Sequence, residues 1–256
     1  MQGLIGYFDI LGYQNFLENN SADKSINRVF EIITKIPTEI KNLSNDIAGK
    51  SNNTVENSYH HALKHYVFSD TIVFTLEYPE NPDEEWLNGA LIHMTRCCAR
   101  LFGEMHLNGL PVQGIIHEGK FFAINGDHVM SLAGEAIVEA YQLAKKINLS
   151  SLVYSESLSK KVMLKKSSIN NDTVPQFTYR TPRKDGTDTK MVNINWIYFL
   201  SNAEISECRK DIENFVLKSF WAHQKDCPSS VDIKTQNTIK VIRKMILNID
   251  DKNKPL

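Results

Sequence analysis

Two periodicities organise the chain. Leu4 to Leu11 (LIGYFDIL) is a near-continuous apolar run of the kind that forms a buried strand, and Gly12 predicts a turn into a helix that starts at Tyr13 and ends by Asn19 or Asn20. Ser25 to about Leu43 carries apolar residues at helical spacing, which predicts a long amphipathic helix broken by Pro37. Ser44 to Ser58 is rich in Asn, Ser and Asp and reads as a surface loop. Lys64 to Phe68 and Thr71 to Leu76 are β-rich runs separated by Ser69 and Asp70, the spacing of a hairpin with Asp70 at its tip. Glu84 to Leu107 then repeats apolar residues with a helical period over about six turns and predicts a helix packed on a sheet.

Leu110 to Phe122 (LPVQGIIHEGKFF) predicts a strand or hairpin, Leu132 to Ile147 an Ala-rich amphipathic helix, and Ser150 to Tyr154 a short strand. Phe177 to Arg180 and Lys190 to Leu200 flank the turn-forming Asp185-Gly186, so a hairpin should end the sheet. From Asn202 the pattern turns helical, with helices expected over Ala203 to Ala222 and Val231 to Leu247. This order, without internal repeats, predicts an α+β fold: a core sheet with helices packed on it, over residues 1-200, followed by a C-terminal helical extension, 201-256, serving as a dimer or packing element.

Composition narrows the function. The chain has 256 residues, 42% of them hydrophobic and 23% charged, enough for one good core. Its formal net charge of -1 provides no global basic field for nucleic acid or an anionic membrane surface, so neither is expected as a partner. The N-terminus lacks the pattern of a secretory signal and no long apolar window follows, so a cytoplasmic location is expected. The irregularly spaced Cys97, Cys98, Cys208 and Cys227 read as reduced packing residues.

The chemistry is carried by two residues out of place. Asp9 and Asp70 each put a carboxylate into an apolar segment, at a cost of several kcal/mol unless it is paired, hydrogen-bonded or bound to a cation. Two carboxylates brought together repel, and a divalent metal relieves that repulsion with hard oxygen ligands. Other polar residues read more plainly. His117 and Glu118 are adjacent on a strand and should face opposite ways. His60, His61 and His65 lie by a polar segment with a loosely metal-like spacing and read as solvated; Lys145, Lys146, Arg180, Arg183 and Lys184 also read as solvated charges, the alternative being that one of them reaches a triphosphate from the partner subunit.

Three segments together resemble the class III nucleotidyl cyclase homology domain. Tyr7 to Phe16 (YFDILGYQNF) is similar to the family's metal-binding FxDIxGFT, Phe68 to Phe74 (FSDTIVF) to its Gly-Asp hairpin, and Val112 to Gly119 with Leu132 to Leu143 to its RxGIHxG strand and the helix after it. The resemblance implies a ferredoxin-like core sheet and a reaction in which the 3′-hydroxyl of a nucleoside triphosphate attacks its own α-phosphate and releases pyrophosphate. It implies two Mn²⁺ or Mg²⁺ ions per site, held by Asp9, Asp70 and the Ile10 carbonyl, with the amides of Leu11, Gly12, Tyr13 and Gln14 cradling phosphates.

The departures point to the substrate. A purine-reading Lys is replaced by Tyr66 and an adenine-reading Asp by Ser131; the transition-state Asn and Arg of the helix are replaced by Val138 and Gln142. A bulky Tyr66 and the helix reading GEAIVEAYQL resemble the pyrimidine cyclases of the bacterial Pycsar anti-phage system. That resemblance implies UTP or CTP as substrate, a homodimer with sites at the interface, and a separate effector protein activated by the cyclic nucleotide. Gln113, where an Arg is expected, offers a donor and an acceptor to a pyrimidine edge and leaves uracil and cytosine open. The missing Asn and Arg motivate a second class, a catalytically degenerate nucleotide-binding sensor. A third, a haloacid-dehalogenase-like phosphatase, wants a second Asp two residues after the first, where this chain has Leu11.

Overall fold

The structure, a computed structural model, describes residues 1–20, 23–50, 54–125, 130–164, 175–225 and 229–252. Strands β1 (Gln2–Ile10), β2 (Leu63–Phe68), β3 (Thr71–Glu77), β4 (Val112–Lys120), β7 (Leu152–Tyr154), β8 (Gln176–Pro182) and β9 (Asp188–Ile194) form a sheet in the order β2-β3-β1-β4-β7-β9-β8. Its neighbours are antiparallel except for β4 and β7, which run parallel. A separate small hairpin joins β5 (Phe122–Asn125) to β6 (Met130–Ala133). With helices on the sheet, the molecule is α+β.

The two faces of β1 are covered by different helices, which fixes where Asp9 points. On the even-numbered face, helix α4 (Glu84–Leu107) packs so closely that a Cβ added to Gly6 would lie 2.4 Å from the Cys98 sulfur. Gly6 is thus the hole that admits α4. On the odd-numbered face, α5 (Glu135–Lys146) lies across β1 and β4, bringing Tyr141 against Tyr7 with ring centroids 6.1 Å apart. The opposite facing expected of His117 and Glu118 holds: His117 reaches Glu139 of α5 at 2.9 Å, while Glu118 meets Lys161 of α6 (Glu156–Leu164) at 2.5 Å. Helix α6 carries too short a periodicity to be read from sequence.

Helix α1 (Tyr13–Asn19) follows β1 through Gly12, whose φ of 75° is the left-handed conformation that glycine adopts without strain. The tip of the β2–β3 hairpin falls at Ser69 and Asp70, as the spacing predicts.

Several expected boundaries move. Helix α2 (Asp23–Lys50) runs straight through Pro37. Proline removes one intrahelical bond there, and the buried stripe of Ile33, Ile36 and Ile40 packs firmly enough to carry the helix on. The loop expected over Ser44 to Ser58 is largely helix, with α3 (Thr54–Ala62) beginning inside it. Ser44 is buried and donates its hydroxyl to the His60 carbonyl at 3.1 Å, so tertiary packing overrides a polar composition. His60 is therefore not solvated: only 8% exposed, its ring lies 4.0 Å from that of His93.

The helix expected from Leu132 begins three residues later, at Glu135, because Met130–Ala133 is claimed by the small hairpin. The strand expected to reach Leu200 stops at Ile194 and gives way to a 3-10 turn, Trp196–Phe199. The single helix over Ala203 to Ala222 is two, α7 (Asn202–Lys210) and α8 (Ile212–Trp221), divided at Asp211, whose side chain accepts from the Asn214 amide at 2.9 Å. Helix α9 (Ser229–Lys252) returns to the sheet end, where its Met245 carbonyl accepts from Asn195 at 2.9 Å. Cys97, Cys98 and Cys208 are free, buried packing residues, and Cys227 lies outside the described residues. Among the described residues no helix is long and apolar enough to cross a membrane.

Candidate active site

Antiparallel pairing brings Asp9 and Asp70 to one end of the sheet. Asp9 is the cross-strand partner of Thr71, and the next amide, Ile10 N-H, donates to the Asp70 carbonyl at 2.9 Å. The hairpin tip is thereby held against the end of β1. A second clamp joins the tip to α1: the Tyr13 hydroxyl is hydrogen-bonded to Ser69, which sits at a φ of 54°. A left-handed serine is strained, and here the strain is held in the turn that carries Asp70.

The electrostatics centre on Asp9, a partly buried carboxylate beside a second one. Burial first, and then the charge of Asp70, hold the Asp9 carboxyl above its ordinary range, with Lys234, Lys184 and Lys145 acting in the other direction. Tyr7, whose hydroxyl lies 3.4 Å from the Thr71 hydroxyl, is pushed up to about 12 by burial, with both aspartates adding to the effect. Two hard oxygen donors, one of which is made costlier to ionise by burial and by the other's charge, fit a divalent cation of the Mg²⁺ or Mn²⁺ class. Asp9 and Asp70 would hold it, with the Ile10 carbonyl on the same strand end.

The remaining expected residues are placed less uniformly. The Leu11 amide is already spent on the Pro111 carbonyl at 2.8 Å, so it is not a phosphate donor; the stretch of helix-opening amides starts at Gly12. Tyr13 and Leu11 are buried side chains of the core. Gln113 is opposite Asp9 across β1 and β4, yet it is 1% exposed and its amide nitrogen donates to the Ile147 carbonyl at 2.6 Å and the Leu149 carbonyl at 3.1 Å. It ties β4 to the segment after α5, and its donors are occupied by that task.

Tyr66 pairs with Val73, which pairs with Tyr7, so its ring lies on the Asp9 face. It is 1% exposed and stacked on Phe68 at 6.4 Å, with a buried hydroxyl that has no hydrogen-bond partner among the described residues.

Of the cations around Asp9, Lys234 is the one that sequence reading misses, together with the placement of all three in one chain. Lys145 and Lys184 are exposed, as expected, and their charges also act on Asp9 of their own chain, together with Lys234 from α9. The Lys145 ammonium sits 4.3 Å above the Tyr141 ring, which in turn leans on Tyr7. Arg183 and Arg180 are engaged elsewhere, with Glu156 and Asp188. Lysines at helix and turn ends are the commonest solvated residues, so nothing in the spacing of 145, 184 and 234 distinguishes them.

No family model and no curated protein matches the chain. Solved structures do. The guanylate cyclase domain of RhGC from Catenaria anguillulae, in complex with GTP, is similar at 10% identity and a TM-score of 0.47, over 75% of this chain and 95% of that one. A bacterial light-regulated adenylyl cyclase is similar at 12% identity and a TM-score of 0.43, over 76% and 90%. The adenylyl cyclase CyaB from P. aeruginosa is similar at 13% identity and a TM-score of 0.39, over 75% and 93%.

Proposed function

We propose that the protein is a metal-dependent nucleotide cyclase acting on a pyrimidine triphosphate, UTP or CTP, and releasing pyrophosphate. The observation that carries this reading is the Asp9–Asp70 pair, two acidic residues whose backbones are held at one strand end by the Ile10–Asp70 bond, with the charge of Asp70 helping to hold Asp9 above its ordinary range. The three sequence segments that resemble class III cyclases supply the reaction class. The substrate's 3′-oxygen forms a bond to the α-phosphorus, the bond from that phosphorus to the bridging oxygen breaks, and the hydroxyl proton leaves to solvent. Divalent cations, when bound, would acidify that hydroxyl and balance charge on the departing pyrophosphate.

The chain's own residues do the positioning. Asp9 is fixed by its strand and by α5 above it. Asp70 is fixed by the strained Ser69 turn and the Tyr13 clamp. Tyr66 adds bulk on the Asp9 face, which favours a one-ring base over a purine. By the same reading, the enzyme works as a homodimer in the cytoplasm and its product activates a separate effector in anti-phage defence.

Incubation with UTP, CTP, ATP and GTP, each with Mn²⁺ and with Mg²⁺, tests the proposal directly. A 3′,5′-cyclic pyrimidine nucleotide is expected, with none from Asp9→Ala at an unchanged melting temperature. Equal product from the purines would remove the role of Tyr66, and full activity of Asp9→Ala would remove the mechanism.

One observation favours a second reading, a nucleotide-binding sensor without catalysis. Val138 and Gln142, standing where the family resemblance places a transition-state Asn and Arg, are both exposed on α5 and neither can stabilise developing phosphate charge alone. Tight triphosphate binding with no cyclic product in any of the eight incubations is its signature.

A further inference from the structure

Three chain segments far apart in sequence are stitched together beside Asp9. Gln113, opposite Asp9, holds the Ile147 and Leu149 carbonyls. The carbonyl and amide of that same segment are gripped by α9: Asn237 donates to the Asn148 carbonyl at 2.9 Å, and the Ser150 amide donates to the Thr238 hydroxyl at 2.9 Å. The β8–β9 turn is drawn to the same place, with the Lys184 amide donating to the Lys146 carbonyl at 2.9 Å and the Asn148 amide to the Pro182 carbonyl at 2.9 Å.

Lys234 stands one helical turn from Thr238, on the same stripe of α9, and the Thr238 hydroxyl donates to its carbonyl at 2.7 Å. The stitching therefore places Lys234, Lys184 and Lys145 around one carboxylate. Among the described residues none of the three forms an ion pair. Lys234 is partly buried with Lys184 beside it, and burial followed by that neighbouring charge pushes its ammonium down to about 8. Lys184 and Lys145 are exposed and free to turn toward a ligand, while the partly buried Lys234 is held at its place by the Thr238 stitching, and an anion is what such a cluster of like charges can receive.

We propose that α9 gives this site its cationic arm from within the same chain: Lys234, with Lys184 and Lys145, takes the phosphate chain of the metal-bound triphosphate. This rests on the reading of Asp9 and Asp70 as a triphosphate site, and it goes further in making the C-terminal helix part of that site. It also names what stands in for the Arg absent at Gln142, since α5 itself offers only Lys145 and Lys146 one turn on, and of these Lys145 is the one that acts on Asp9. Phosphate oxygens accept from all three ammonium groups, and the contacts are indifferent to the base.

Inorganic tripolyphosphate, which has no base, is the probe. Its affinity for the full chain is measured by calorimetry in the presence of Mg²⁺, with melting temperature as the check on folding. Lys234→Gln is expected to weaken binding at least tenfold and Lys234→Arg to restore most of it, while Asp9→Asn loses the Mg²⁺-dependent part. If Lys234→Gln binds as the wild type does while Asp9→Asn loses that part, the cationic arm is wrong and the site reading stands. If the wild type binds neither tripolyphosphate nor UTP, both fall. Mixing Asp9→Asn with Lys234→Gln chains tests the origin of the arm. Binding should not return, because Asp9 and Lys234 belong to one chain; recovery would mean that the lysine comes from a partner and would overturn the proposal.

Discussion

At Asp9 function and stability pull in opposite directions. Its carboxyl is held above its ordinary range, so the ionised form is the costly one in the metal-free fold. The sign follows: the native state takes up a proton before the unfolded state does, and this residue's cost disappears as pH falls through its raised value. Asp9→Asn removes the cost at every pH. It should stabilise the metal-free protein by ~1 kcal/mol, read by denaturant unfolding, while abolishing Mn²⁺ binding measured by calorimetry. A variant that is both less stable and metal-free would mean that Asp9 is a packing residue. Gly12 makes a simpler demand. At a φ of 75° and with Lys225 Cδ 3.3 Å from where a Cβ would stand, Gly12→Ala should cost about 1–2 kcal/mol in unfolding experiments.

Among the elements, α9 is held to the sheet by few polar contacts, and they are specific. Thr238→Val keeps the shape but leaves the buried Ser150 amide without an acceptor, which should cost about 1–3 kcal/mol in denaturant unfolding. The same variant should also weaken tripolyphosphate binding, because Lys234 rides one turn away. The main elements of the sheet and the site's carboxylates were legible in sequence for one reason: each is a local pattern. An apolar run with one carboxylate, a two-residue hairpin gap and a six-turn helical period all fit within their own segments. What could not be read was set by partners elsewhere. Pro37 stays in a helix because the Ile33, Ile36 and Ile40 stripe is packed; the polar stretch after Ser44 is mostly helical because Ser44 meets His60; Gln113 is committed to carbonyls thirty-odd residues away. Lys184 and Lys234 reach Asp9 only through that stitching.

For the whole molecule, acid is the revealing variable. Burial pushes His93 down to about 3, with His60 and Arg96 adding to it, and pushes His106 down to about 3, with Lys225 adding to it. Both are neutral in the fold and become charged more readily when unfolded, so the stability they allow is complete above about 6.5 and is lost as pH falls toward 3. The slope per histidine is about 1.4 kcal/mol per pH unit. His106 packs between Trp196 and Phe215 with both ring nitrogens unbonded among the described residues, so His106→Phe should raise stability at pH 5 and flatten the slope by one proton, checked by unfolding at a series of pH values. The Asp9 term runs the other way and is separated by Asp9→Asn. There is also a consequence for how the molecule assembles. The strand bearing Asp9 and the hairpin bearing Asp70 pair over a shorter loop, Asp9 to Thr71, than the one α9 closes from Ser150 to Thr238, so their pairing is the less costly to form first. Until α9 docks two like charges face each other with nothing opposite, so a divalent cation present during refolding acts as a scaffold, speeding the approach to the native state before any substrate has arrived.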